Sequence, residues 1–276
     1  MTEARHNPCG TCGACCRSYI VPVCGYDVWL ISTGHRLGPE QFLLACPQQE
    51  RGLDGFRLGG AEEPTFGLAL DKRGPLRATQ PCVFLMRLAG SNDRCGIYAE
   101  RPVVCQSYPM SMWQDAVVQR GDALCPPGSW SDADIGLPSW RDSLRRLRMH
   151  FDIYHEVVAR WNARVCADGP SVRFELPEYF SYLLNVYERL ASLDDEIGGV
   201  AMARVQAEWR SLPDRAIGPA TTMRNSDDVL WLRYFGRARQ IIDDFYPRIP
   251  PQPSQLRIPK LEGAAQGASV SIAETT

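Results

Sequence analysis

Near its N-terminus the chain carries four cysteines within eight positions, in the pattern C-x-x-C-x-x-C-C, namely Cys9, Cys12, Cys15 and Cys16. Four more follow at wider spacing, namely Cys82, Cys95, Cys105 and Cys125. Thiolate is the softest ligand among protein side chains, so a dense group of cysteines selects zinc, copper(I) or iron–sulfur centres over magnesium or calcium. The sequence therefore predicts that this chain binds a metal.

The spacing within the N-terminal run indicates how its sulfurs are presented. A C-x-x-C unit closes a tight turn in which two sulfurs face one ion, and two overlapping units present three sulfurs. Adjacent side chains diverge in helices and strands, so we expect Cys15 and Cys16 to serve two neighbouring centres or one shared multi-atom cluster. Cys9, Cys12 and Cys15 also match the first three ligands of the bacterial ferredoxin pattern, but the expected fourth ligand is missing. Zinc and iron–sulfur binding both stay open.

Two other uses of these cysteines compete with metal binding. Cysteine packs as a small buried apolar residue, and a C-x-x-C pair can cycle between dithiol and disulfide. The residues before Cys9 lack the apolar segment of a secretory signal, so we expect a cytoplasmic protein whose thiols are kept reduced. The odd total of 11 cysteines also argues against a fully paired disulfide framework. Metal binding is the better interpretation.

Two blocks give the pattern a resemblance to a known family. Residues 9–16 supply the first block, and residues 95–109 supply the second, C-x-I-Y-x-x-R-P-x-x-C-x-x-Y-P. Cys82-Val-Phe-Leu and Cys125-Pro complete the match. With these motifs the chain resembles the CxxCxxCC cysteine-cluster proteins (YkgJ type), which are described as zinc- or iron-chelating domains. The resemblance covers residues 9–126 and implies a metal-binding domain in which all eight cysteines of the two sets are ligands.

Three side chains of the second block are candidates for contact with the metal centre. Two roles are open to Arg101. Its guanidinium can donate hydrogen bonds to backbone carbonyls after a tight turn, or it can donate hydrogen bonds to sulfur. Tyr98 and Tyr108 are expected to form part of an apolar wall around the metal. The family usually has arginine directly after the position of Cys105, whereas this chain has Gln106, so an anion-pairing side chain is missing there.

Three function classes remain open at this point. The simplest is a metal-chelating protein. The same cysteine pattern appears in bacterial flagellin lysine methylases, where it looks like an iron–sulfur-binding segment, which keeps open a protein-modifying enzyme or a redox enzyme. The third is an interaction module, in which the metal is structural and the helical half binds a protein partner. The sequence contains no phosphate-binding loop, nucleophile elbow or H-E-x-x-H motif, which weakens every enzyme that would need a nucleotide.

Charge and hydropathy argue against nucleic acid and membrane as partners. The formal net charge is -2, and the basic and acidic side chains up to residue 125 balance at 12 against 12. A nucleic-acid-binding protein would need a concentrated basic face. The sequence also lacks a stretch of about 18 apolar residues that could cross a bilayer.

The elements that position the cysteines are predicted to be short. Ten of the 11 cysteines precede residue 126, and a turn-rich stretch follows them. We therefore expect an α+β protein with a small, irregular cysteine-rich domain over residues 1–126. A helical bundle is predicted over residues 138–246. Residues 247–276 are rich in proline and then in small residues, and we expect a disordered tail.

Turn residues and apolar spacing predict the individual elements. In the first part they indicate helices at 26–33, 39–45 and 101–107, and strand pairs formed by 66–70 with 76–79, 83–88 with 95–98, and 110–113 with 117–119. In the second part, apolar residues in steps of three and four predict a long helix that starts at a capping box on Ser139 and stops at Gly169. Further helices are predicted at 177–192, 194–212 and 226–246.

Overall fold

The computed structural model describes residues 12–48, 55–73, 80–87, 93–113, 116–169, 172–192, 238 and 240–244. Its elements, in chain order, are α1 (Ala14–Ser18), α2 (Gly25–His35), the 3-10 turn η1 (Pro39–Gln41), β1 (Leu43–Pro47), β2 (Phe66–Leu70), β3 (Leu85–Arg87), β4 (Asp93–Cys95), α3 (Val103–Ser107), β5 (Met110–Trp113), β6 (Ala116–Gln119), α4 (Asp132–Ile135) and α5 (Pro138–Ala167). A further helix, α6, covers residues 176–192. The predicted α+β class is confirmed.

Three two-stranded antiparallel ladders make up the named strands of the described residues, in the pairs β1–β2, β3–β4 and β5–β6. In the second ladder Leu85 lies opposite Cys95, and in the third Met110 lies opposite Gln119. These two strand pairs and the short helix that carries Cys105 were predicted and are confirmed, with bounds that differ by at most three residues. An isolated two-stranded ladder is only marginally stable in water, so these depend on packing around them.

One predicted helix proves to be mainly a strand. Only η1 is helical within residues 39–45, and the chain then continues as β1, which pairs with β2. Pairing satisfies the backbone here, since the Asp71 N–H donates to the carbonyl oxygen of Phe42 at 2.8 Å. The expected partner of β2, residues 76–79, lies outside the described residues, and the observed partner is β1.

The long helix α5 is confirmed, with a different start from the one predicted. It begins at Pro138 after an extended residue, Leu137, so the N-cap is not Ser139. Proline suits this first position because the N–H that it lacks would have no partner within the helix. The helix ends at Ala167, and Gly169 follows with φ 97°, in agreement with the predicted stop.

The helix predicted over residues 177–192 is confirmed as α6. The predicted helix over 194–212, most of the one over 226–246 and the tail over 247–276 lie outside the described residues, although 238 and 240–244 are helical. The four-helix bundle and the division into domains at 1–126 and 138–246 therefore stay predictions. Within the described residues, no helix combines the length and the apolar character needed to cross a bilayer.

Helices α5 and α6 pack against the cysteine-rich residues through a shared hydrophobic core. The indole Nε1 of Trp161 donates to the carbonyl oxygen of Arg57 at 2.7 Å. The ring of Phe56 stacks on Tyr179 of α6, with ring centroids 3.9 Å apart. The apolar stripe of α5 thus lies in the core, as its spacing predicted, and the two helices form a scaffold for the cysteine-bearing segments.

Exposed large apolar side chains bear on the predicted protein partner. Within the described residues they are Ile20, Met86, Met112, Trp113, Leu124, Leu137 and Val172, and none of them lies in α5 or α6. The partner expected on the helical half stays a prediction.

Candidate metal centre

The N-terminal cysteine run enters α1 through a left-handed turn at Gly13. This glycine has φ 69°, and a Cβ added there would lie 2.6 Å from Oδ2 of Asp93. Both the conformation and the close approach exclude a larger residue. Glycine therefore allows Cys12 to precede the helix while Cys15 and Cys16 lie within it.

An ion pair fastens α1 to the strand that ends at Cys95. Arg17 of α1 pairs with Asp93, the first residue of β4, and the Asp93 side chain is buried with 8% of its surface exposed. An ion pair with one buried partner is less screened by solvent than a surface pair. The pair therefore holds two cysteine-bearing segments at a defined separation.

The sulfurs of the adjacent cysteines lie close together. Sγ of Cys15 and Sγ of Cys16 are 4.0 Å apart. The expectation that these neighbouring side chains diverge is wrong for this pair. Two sulfurs bound to one tetrahedral zinc at 2.3 Å lie about 3.8 Å apart, so the observed separation suits ligands of one ion as well as of a cluster.

A backbone hydrogen bond joins this run to the next cysteine along the chain. The N–H of Cys82 donates to the carbonyl oxygen of Cys16 at 2.8 Å. Burial raises the pKa of the Cys82 thiol, and Cys15 raises it further. The backbone hydrogen bond thus brings together two cysteine residues that are more than 60 positions apart in the chain.

Cys105 brings the largest set of thiols together. Burial is the main cause of its raised pKa, and the neighbouring Cys15, Cys82, Cys95 and Asp27 each raise that pKa further. For Cys15, a hydrogen bond with Cys16 is the main cause of a raised pKa, followed by burial. The structure therefore gathers cysteines from α1, from residue 82, from β4 and from α3 around one neighbourhood.

This neighbourhood has a clear chemical consequence. Thiols whose pKa is raised keep their protons at neutral pH, and a metal ion must displace those protons to bind. Metal binding here should release protons and weaken as the pH falls. A set of soft sulfur donors fits zinc or iron and does not fit a hard cation such as calcium.

Arg101 is buried beside the cysteine-bearing strand and helix. Only 5% of its surface is exposed, and its guanidinium carbon lies 4.1 Å above the centroid of the Tyr98 ring. Within the described residues, its Nε and Nη2 have no hydrogen-bond partner. A buried cation with free donors is costly unless an anion completes it, so this arginine fits a site that holds thiolates. Gln106 contributes locally, since its Nε2 donates to the carbonyl oxygen of Arg101 at 2.6 Å.

Tyr108 positions the segment that leads to the last cysteine. Its hydroxyl oxygen accepts from the N–H of Leu124 at 2.6 Å, and its ring packs edge-on against Tyr19 with centroids 5.7 Å apart. Burial raises the pKa of Tyr108, with a smaller contribution from Cys125. Tyr19 directly follows α1, so its contact with Tyr108 holds the segment that leads to Cys125 near α1.

The full set of eight ligands stays a prediction. Cys9 lies outside the described residues, and Cys12 is half-buried immediately before Gly13. Across the parts of the chain that the structure describes, no three Cys, His, Asp or Glu side chains already stand in positions to ligate one ion. The described thiols are neighbours whose convergence on a metal would need local adjustment.

Two buried charged residues next to the cysteines were not predicted from the sequence. Asp27 of α2 accepts from the N–H of Val103, at the start of α3, at 2.9 Å and from the thiol of Cys24 at 3.3 Å. Lys72 donates from Nζ to the carbonyl oxygen of Cys16 at 3.0 Å. The sequence gives little sign of Asp27, whereas Lys72 belongs to a residue type that the chain uses rarely.

The three cysteines outside the motif differ in burial. Cys24 is buried and Cys46 is half-buried, in line with a packing role. Cys166 is exposed on α5.

Comparison with known families agrees with this part of the chain. Residues 8–126 match the family model CxxCxxCC, described as "Putative zinc- or iron-chelating domain". No curated protein and no solved structure gave a match. The matched residues contain all eight cysteines of the two sets.

Proposed function

Because residues 8–126 carry a CxxCxxCC domain, we propose that this protein chelates zinc or iron through cysteine thiolates in the cytoplasm. The observation that carries the proposal is the contact between cysteine-bearing segments. The N–H of Cys82 donates to the carbonyl oxygen of Cys16 at 2.8 Å, and Sγ of Cys15 lies 4.0 Å from Sγ of Cys16. Those cysteines come from distant stretches of the chain, so their proximity is a product of folding. Buried polar groups in proteins usually have a partner, so four buried or half-buried thiols in one region favour a bound ligand.

The cysteines divide into an inner set and a remaining set. The inner set is Cys15, Cys82, Cys95 and Cys105, which are linked by the pKa shifts described above. Cys16 stands beside this set, 4.0 Å from Cys15. The remaining cysteines, Cys9, Cys12 and Cys125, would add ligands for a second ion or for a larger cluster.

The surrounding charges support a centre that carries negative charge. A zinc ion bound by four thiolates has a net charge of about -2, by charge counting on its ligands. Iron–sulfur clusters held by cysteines are likewise anionic in most states. The buried cations Arg101 and Lys72 lie next to cysteine-bearing segments, where they would offset such a charge.

The bound metal can be identified after purification of the protein without oxygen. Metal analysis together with a visible absorption spectrum distinguishes the two candidates, because zinc thiolates are colourless and iron–sulfur clusters absorb strongly in the visible range. Stoichiometric zinc in a colourless protein would establish the zinc form. Iron with acid-labile sulfide would establish the cluster form.

A matched pair of cysteine variants tests the site itself. Cys105→Ser removes a half-buried thiol of the inner set, whereas Cys166→Ser removes an exposed thiol on α5. We expect Cys105→Ser to lose most of the bound metal and Cys166→Ser to retain the wild-type amount. Equal metal content in both variants, or a wild-type protein that binds neither metal, would contradict the proposed function.

A further inference from the structure

Lysine is rare in this chain, and one of its lysines is buried. Lys72 and Lys260 are the two lysines among 30 basic residues, and all the others are arginine. Lys72 follows β2, and 5% of its surface is exposed. Lysine is almost never fully buried unless its charge is paired. The position of Lys72 therefore calls for a nearby negative charge.

Lys72 contacts two cysteine-bearing segments at once. Its backbone pairs with that of Cys82 in an isolated antiparallel bridge. Its Nζ donates to the carbonyl oxygens of Cys16 and Arg17, at 3.0 and 3.3 Å. The carbonyl of Cys16 also accepts from the N–H of Cys82. A single residue thus ties the end of α1 to the segment at Cys82.

The charge of Lys72 lies close to the thiols of both segments. Its Nζ lies 3.0 Å from the carbonyl oxygen of Cys16, the neighbour of Cys15, and its backbone pairs with that of Cys82. The two carbonyl oxygens satisfy hydrogen-bond donors of the ammonium but carry only partial charge. Full negative charge arises nearby when a metal converts these thiols to thiolates.

We propose that Lys72 is a positioning residue of the metal centre, which joins the CxxCxxCC helix to the Cys82 segment and offsets the charge of their thiolates. The inference rests on the proposed function, because it needs bound metal to create those thiolates. An ammonium is a compact point charge on a flexible stem, whereas a guanidinium is a planar fork. Lysine therefore fits two carbonyls and several sulfurs in a confined space.

The test compares affinities for Zn²⁺, measured by competition with a chromophoric chelator. Lys72→Met keeps the length of the stem and removes the charge, and we expect its affinity to fall about 10- to 100-fold, as for other outer contacts of metal ligands. Lys72→Arg keeps the charge and should bind more tightly than Lys72→Met. Arg148→Met is the control, since it removes one positive charge from a side chain that is 75% exposed on α5, and it should bind like the wild type.

The outcomes separate this inference from the proposed function. Wild-type affinity in Lys72→Met would overturn the role of Lys72 and leave the metal site standing. Equal losses in Lys72→Met and Lys72→Arg would overturn the charge role. A wild-type protein that binds neither Zn²⁺ nor iron would overturn the proposed function, and the inference with it.

A measurement on the wild-type chain covers the case in which the variants fail to fold. Reductive methylation modifies lysine amines, and mass spectrometry gives the rate for Lys72 relative to Lys260. With Zn²⁺ bound, Lys72 should be held between the two ligand-bearing segments, so its amine should be methylated several-fold more slowly than without metal. Equal rates with and without Zn²⁺ would overturn the proposal.

Discussion

Helix α5 runs for 30 residues and buries a continuous apolar stripe, whereas α1 and α3, the two helices that carry proposed ligands, have five residues each. Some of the polar atoms buried with the stripe form hydrogen bonds with one another or with the backbone. The hydroxyls of Tyr154 and Tyr179 lie 3.0 Å apart, and the hydroxyl of Tyr182 donates to the carbonyl oxygen of Val157 at 3.0 Å. Apolar burial and internal hydrogen bonds therefore contribute to the stability of α5 and α6.

The cysteine-bearing segments bury groups of another kind. Cys82, Lys72 and Arg101 are all buried, and two donors of Arg101 have no partner within the described residues. Buried cations and thiols of this kind become favourable when they surround an anionic thiolate centre. The two regions of one core therefore differ in what they bury, and under the proposed function the first is stabilised by its own side chains and the second by a bound metal.

Removal of the metal should have the largest effect and should separate the two regions. Structural zinc contributes on the order of 10 kcal/mol to the folding of small metal domains at neutral pH. After chelation under anaerobic conditions, we expect the amides of α3 (Val103–Ser107) to lose most of their protection from hydrogen exchange. The amides of residues 153–165 in α5 should remain protected. Equal loss of amide protection in both helices would show that they unfold as one cooperative unit, which would contradict the difference between the two regions.

Truncation of an aromatic side chain in α5 should have the next largest effect. Trp161 is 2% exposed, and it packs against Phe174 and Tyr179. Trp161→Ala should lower the free energy of unfolding by about 3–5 kcal/mol in urea titrations, through lost burial and an unfilled cavity. Trp113→Ala, at a side chain that is 57% exposed, is the matched control and should change stability by less than about 0.5 kcal/mol. If apolar packing and not the metal stabilises α5, both variants should bind as much metal as the wild type.

The pH dependence at His150 should give the smallest of these effects. The ring of His150 stacks on Tyr26 of α2 with centroids 3.9 Å apart, and burial, with help from Arg146, lowers the pKa of His150 to about 3. A base whose pKa is lower in the folded state loses stability as the pH falls below its unfolded value of about 6.5. Between pH 7 and pH 5 this residue should cost about 2 kcal/mol, which urea titrations can measure.

The phenylalanine variant isolates that contribution. His150→Phe keeps an aromatic ring against Tyr26 and cannot be protonated, so its stability should fall less between pH 7 and pH 5 than that of the wild type. His155→Phe, at a half-buried position on the same helix, is the control and should follow the wild-type profile. Identical profiles for wild type and His150→Phe would show that His150 is charged or hydrated in the folded protein.

Much of this molecule was predictable from patterns that are local in the chain. The steps of three and four residues along α5 and the turn residues between β3 and β4 predicted those elements, because each depends on neighbours within a few positions. The strand β1 was missed, since residues that can start a helix at Pro39 continue as a strand once β2 offers backbone partners. The helix α5 starts at Pro138 and not at the predicted cap Ser139, because a proline at the first helical position can begin a helix without a capping side chain.

The spacing of the cysteines alone established the kind of chemistry, because soft sulfur donors at such density select a soft metal wherever the rest of the chain lies. Tertiary structure decided which thiols are neighbours, that Cys15 and Cys16 approach to 4.0 Å, and that Lys72 contacts the Cys16 carbonyl. These contacts join segments that are tens of residues apart, and their geometry depends on how α5 and α6 pack beneath them. Ligand type is a property of individual residues, whereas proximity in space is a property of the folded core.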